Sequence, residues 1–125
     1  MKFLTAAVIP FLLALGSAAN AACVYPSAPE KLPNGNTATK DEMVAANGAM
    51  KDYSKAVQET YLPCLQQEET DAVAALDPAD KEFAQKKAAA EAIHAKKHNA
   101  ALDELQAMAA RWNEEIKAFK AKDAK

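Results

Sequence analysis

The chain has 125 residues, with 15 lysines and arginines against 17 aspartates and glutamates, a formal net charge of −2. Neutralising phosphates needs a concentrated basic face, and this balance implies none, so nucleic acid is excluded as a partner class. The length allows one domain.

Residues 1–21, "MKFLTAAVIPFLLALGSAANA", read as a secretory signal peptide: one lysine, an apolar run from Phe3 to Leu15, then small residues ending in Ala19-Asn20-Ala21. The run is too short to span about 30 Å of hydrocarbon, and an A-x-A cleavage site follows it. Cleavage there removes Lys2 and no acid, leaving 14 basic and 17 acidic side chains, a net charge of 14 − 17 = −3. Nothing later in the chain is apolar enough for a transmembrane segment, so the expected location is the periplasm or the outside of the cell.

Residues 22–38 form an arm with Pro26, Pro29 and Pro33 and a turn-forming Asn34-Gly35. Prolines at that density block helix and favour an extended polyproline II path. Cys23 at its start and Cys64 are the only cysteines, and in an exported protein a bridge between them is the default. Two alternatives stay open at this point, a lipid anchor and a reactive thiol. Against lipidation, Asn20 stands where a lipoprotein signal carries leucine, although Ala21 and Ala22 fit. Against a reactive thiol, there is no C-x-x-C and no electropositive context.

Residues 39–125 read as a helical domain. Thr39 with Glu42 makes a capping box, and Asp41 and Glu42 suit the positive end of the helix dipole. Met43, Met50, Tyr53, Val57, Tyr61 and Cys64 then recur at the period of one helix face. Within this first helix, about 39–70, Asn47-Gly48 costs about 1 kcal/mol, and Pro63 clashes with the carbonyl of Glu59. A kink near Pro63 is expected, with an end at Leu62 as the competing reading. Asp77 as N-cap and Pro78 at the first helical position start a second helix, about 78–121. Alanine fills 15 of the 49 positions from Asp77 onward, which favours a single helix roughly 60 Å long. Its apolar stripe is Ala101, Leu105, Met108, Trp112, Ile116 and Phe119. Earlier facing positions are mostly alanine, with Lys87, His94 and Lys97 among them.

Two long helices and a short connection imply an all-α fold, an antiparallel two-helix hairpin with the arm stapled to it by one disulfide. A turn centred near Ala74 sets residues whose numbers sum to about 148 opposite each other, Cys64 facing Ala84 and Leu105 facing Met43, with Trp112, Ile116 and Phe119 overhanging the first helix. The first helix rises roughly 37 Å from Thr39 to Cys64, and the arm can span roughly 50 Å, so Cys23 reaches Cys64 only along an extended path. The bridge would close a loop of about 40 residues, worth roughly 4 kcal/mol in the chain-entropy model.

Candidate chemistry is sparse. Glu91, His94 and His98 share a helix face, and the i, i+4 histidines could chelate Zn²⁺, Cu²⁺ or Ni²⁺, with an incidental polar surface as the alternative. Trp112, Ile116 and Phe119, beside Arg111, Lys117, Lys120 and Lys122, make an apolar edge for a partner groove, an anionic membrane surface or a second copy of the chain, unless the arm around Leu32 and Pro33 covers it. Enzyme templates find nothing: Ser27 and Ser54 stand outside any G-x-S-x-G, and no Gly-rich phosphate loop occurs. No catalytic residue and no resident cofactor are expected.

"CVYPSAPEKLPNG", "TKDEMVAANGAMKDY", "YLPCL", "HNAALDEL" and "RWNEEIKAFK" together resemble a family of small secreted helical proteins of proteobacteria with two cysteines, a Pro-rich N-terminal arm and a Y-L-x-C-L helix segment. Trp112 stands where that pattern has phenylalanine, and Pro63 interrupts the Y-L-x-C-L segment. The resemblance implies a Gram-negative envelope protein with Cys23 and Cys64 paired, and it carries no activity. The functional expectation is a non-enzymatic periplasmic interaction or structural module, acting on an envelope protein or on itself as a dimer; the alternative is metal buffering by His94 and His98.

Overall fold

The computed structural model describes residues 22–124 and is mostly helical, with no strand among them. The proposed signal peptide lies outside the described residues. Three α-helices follow the arm: α1 (Lys40–Lys55), α2 (Leu62–Ala74) and α3 (Phe83–Asp123), with a π-helical segment Ala56–Tyr61 between the first two. No helix among the described residues is long and apolar enough to cross a membrane.

α1 begins as its sequence dictates. The Thr39 hydroxyl accepts from the Glu42 amide at 3.3 Å while the Glu42 carboxylate accepts from the Thr39 amide at 2.7 Å, two otherwise orphaned donors satisfied reciprocally. These bonds from Thr39 hold the Glu42 carboxyl below its ordinary range. The helix passes through Asn47-Gly48 without a break, since a helix tolerates a single glycine at modest cost.

Pro63 neither ends the first helical run nor stops it short of Ala74. The chain widens into π-helix just before it, so that the Leu62 amide donates to the carbonyl of Val57, five residues back. Pro63 has no amide to place in the ladder, and the wider turn shifts the carbonyls that its ring would otherwise strike. The same widening explains the core spacing. Tyr53, Val57, Tyr61 and Leu65 are all buried and lie four apart; in an α-helix each such step overshoots a full turn by about 40°, and a π turn takes the overshoot back. Leu65 therefore fills the core position expected for Cys64, and Cys64 sits half-buried beside it.

α3 starts five residues later than Pro78. The Asp77 carboxylate accepts from the Ala79 amide at 2.9 Å and that of Asp80 from the Glu82 amide at 2.8 Å, so two successive side-chain turns use the donors that a first helical turn would have oriented. The Lys86 ammonium, 2.6 Å from Asp80, and the Glu82 amide keep the Asp80 carboxyl below its ordinary range. With residues 75–82 spent on the connection, the contact register moves. His94 meets the Leu65 carbonyl and Lys97 meets Glu68, pairs summing to 159 and 165 rather than 148. Trp112 consequently lies beside Met50 on a shared groove instead of overhanging α1.

The core is one cluster: Ala38 from the arm, Met43, Met50, Tyr53, Val57, Tyr61 and Leu65 from the first helical run, and Ala101, Met108 and Trp112 from α3. It contains no buried polar or charged residue. The arm's Cys23, Tyr25, Ala28 and Leu32 pack against it half-buried.

Candidate functional site

The arm and the helices beneath it form the most constructed part of the molecule. Cys23 and Cys64 are disulfide-bonded with Cα atoms 5.8 Å apart. A lipid anchor and a free reactive thiol both need an unpaired Cys23, so the bond sets both alternatives aside.

Two residues past the bond, Tyr25 places its hydroxyl 2.6 Å from that of Tyr53 and turns its ring edge-on to Tyr61, with centroids 5.0 Å apart. The Tyr53 ring is also edge-on to it at 6.4 Å. Edge-to-face aromatic pairs of this kind contribute beyond the area they bury. Burial, reinforced by the Tyr53 hydroxyl, pushes the Tyr25 phenol well above its ordinary range.

The other end of the arm docks on α3 through its turn. Asn34 organises the turn by accepting from the amides of Thr37 and Ala38 at its carbonyl, and from Asn36 at its side chain. The Gly35 amide then donates to the Glu115 carboxylate at 2.7 Å. A Cβ on Gly35 would collide with the Glu115 carbonyl oxygen and lie 2.8 Å from the Phe119 amide, so only glycine lets the turn rest on the helix backbone. Lys122 closes the same end, donating to the Ala38 carbonyl at 2.5 Å with its ammonium 4.5 Å from the centre of the Phe119 ring.

This docking corrects the reading of Trp112, Ile116 and Phe119 as an interaction edge. Trp112 is 6% exposed, and Ile116 and Phe119 are half-buried against the core cluster that the arm completes. The arm's turn rests on this stretch of α3, with Gly35 against the backbone at Glu115 and Phe119.

Of the three metal candidates, only His94 and His98 are brought together. Glu91 is exposed and pairs with Lys87 at 3.7 Å. His94 turns across to the other helix, its Nδ1 3.2 Å from the Leu65 carbonyl and 3.3 Å from the Glu69 carboxylate. His98 stacks on it with ring centres 5.7 Å apart. Among the described residues no group of three or more His, Cys, Asp or Glu side chains is arranged to hold a metal ion.

Sequence reasoning missed four partners of this architecture. Tyr25 was legible as an aromatic two residues from Cys23, and Glu115 as an acid near the end of α3, but neither spacing shows that it meets a residue of α1 or the arm's turn. Glu68 and Glu69, which face Lys97 and His94, were hidden by the mistaken register.

No protein-family model matches the chain, and neither a curated protein nor a solved structure matches it.

Proposed function

We propose that this chain is a non-enzymatic interaction or structural module of the Gram-negative periplasm, an antiparallel helical hairpin stapled by its own N-terminal arm. The Cys23–Cys64 bond carries the reading: disulfides persist in oxidising compartments, and this one joins an extended arm to a helix pair whose seam is narrow. The hairpin is supported by the succession of neighbours, residues 47–58 beside 105–113 and residues 66–74 beside 87–91. The non-catalytic reading is supported by the causes of the displaced ionisations: Tyr25, Glu42 and Asp80 are each shifted by contacts that build the fold. The family resemblance and the signal-like residues 1–21 support export.

Two experiments test this. Residues 1–21 fused to a phosphatase active only after export should yield activity outside the cytoplasm; a cytoplasmic, inactive fusion would defeat the location. Site-specific photocrosslinking from exposed positions such as Val44, 63% exposed, should capture one reproducible partner or a second copy. Adducts no different from those of an unrelated helical protein would defeat the interaction reading. Metal buffering rests on the stacked His94 and His98 alone; Zn²⁺ or Cu²⁺ titration tighter than a simple His-pair peptide would revive it.

A further inference from the structure

The arm is held in an unusual way for an ordered segment. Among the described residues, the one hydrogen bond between residues 22–33 and the rest of the chain joins the hydroxyls of Tyr25 and Tyr53. No strand ladder and no backbone pairing secures it; apolar contact with the core comes from Cys23, Tyr25, Ala28 and Leu32, all only half-buried. By contrast, the segment immediately after it is anchored independently of the disulfide, through the Asn34 turn, Gly35 on Glu115 and Lys122 on Ala38. The helices have their own core in Met43, Met50, Val57, Leu65, Ala101, Met108 and Trp112.

We propose that the arm is a redox-gated strap: reduction of the Cys23–Cys64 bond releases residues 22–33 as a unit, pivoting at the Asn34 turn, and uncovers the face carrying Tyr53 and Tyr61 while the helices stay folded. This rests on the bond and the contacts beneath it, and it holds whether or not the module is periplasmic.

The covalent step balances with a dithiol as reductant. One thiolate of the dithiol attacks a sulfur of the Cys23–Cys64 bond, expelling the other as a thiolate that takes up a proton. The second dithiol sulfur then displaces the mixed disulfide, so two electrons and two protons end on Cys23 and Cys64 and the dithiol leaves oxidised. Before reduction, the bond places the arm beside its site at high effective concentration. Afterwards the ordered arm must be held against its backbone entropy by half-buried side chains, none of them fully buried, and one phenol hydrogen bond. Pro26, Pro29 and Pro33 lower that entropy loss, yet they also leave the arm with fewer donors to secure it. Release removes the Tyr25 ring from both Tyr53 and Tyr61, which are 4% and 9% exposed while it is in place.

The test uses the chain with residues 1–21 removed, oxidised and then treated with dithiothreitol, alongside the Cys23→Ser, Cys64→Ser double variant. Hydroxyl-radical footprinting by mass spectrometry should show Tyr53 and Tyr61 oxidised at least about threefold faster in the reduced protein and in the variant. Far-UV circular dichroism should keep its helical amplitude, and reoxidation should restore protection. Two results overturn the proposal: unchanged footprints at Tyr53 and Tyr61, which would mean that the arm stays docked without its bond, or loss of the helical signal, which would make the bond a staple of the whole fold and no gate. If the double variant fails to fold, the dithiothreitol-treated natural chain decides: helix kept with Tyr53 and Tyr61 exposed supports the gate, and helix lost overturns it.

Discussion

The two ends of the helix pair solve one problem by different means. At the arm end, α1 and the C-terminal half of α3 bring Met43, Met50, Met108 and Trp112 into one core cluster with Ala38 of the arm. At the connection end, most alanines in the first half of α3 are exposed, Ile93 is left 57% exposed, and contact with α2 is made by Lys97 to Glu68 and His94 to Glu69. Where large apolar side chains face each other the two helices make a core, and where they do not the contact is thin and polar. The difference teaches that burial in this molecule follows the placement of large apolar side chains rather than helix length.

Replacing Trp112 by alanine should have the largest effect among point changes, about 3–5 kcal/mol lost, because its buried ring in the core cluster would leave a large cavity. Thermal or urea unfolding measures it, and a loss under about 1 kcal/mol would mean that the arm end holds no true core. Gly35→Ala should cost about 1–3 kcal/mol, since the added methyl meets rigid helix backbone rather than a side chain able to move. Gly48→Ala on the exposed side of α1 should instead gain about 0.5–1 kcal/mol, because nothing lies within 4 Å of an added Cβ and alanine is the better helix former. If both glycines responded alike, the close docking of the arm's turn on α3 would be wrong.

Alkaline titration probes the same end from another side. The Tyr25 phenol is raised in the folded state, so the unfolded chain releases that proton first; its contribution to stability is complete below about pH 10, the ordinary tyrosine value, and is lost as pH rises above it. Unfolding curves should therefore weaken above about pH 10 in the natural chain, and the part due to this group should vanish in Tyr25→Phe. Identical pH profiles would place Tyr25 in solvent. The smallest effect is expected at the connection end. Lys97→Ala should change stability by no more than about 1 kcal/mol, because both members of the pair are more than a third exposed and screened. A larger loss would show that the polar end is not the weaker one.

How much of this was legible depended on whether a feature is local. The capping box at Thr39 and the stripe from Ala101 to Phe119 are patterns of neighbours along the chain, and each stands where its spacing points; the Cys23–Cys64 bond, 41 residues apart in sequence, was legible because these are the only two cysteines. Pro63 was legible as a disturbance but not as a π turn, since the outcome depends on whether burial of Tyr61 and Leu65 outweighs a strained ladder. Asp77-Pro78 fits a helix start and a side-chain turn equally well, and that one ambiguity displaced the register of the whole helix pair.

The sequence by itself determined that the chain is helical after a proline-extended arm, because capping, alanine content and apolar period act over a few residues and need no partner. Only the tertiary structure decided that Trp112 is buried in one cluster with Ala38 of the arm and that His94 meets Glu69 on the other helix. Those outcomes depend on which surfaces meet once the register is set, and the register depends on the residues that the Asp77 and Asp80 side-chain turns take from the start of α3.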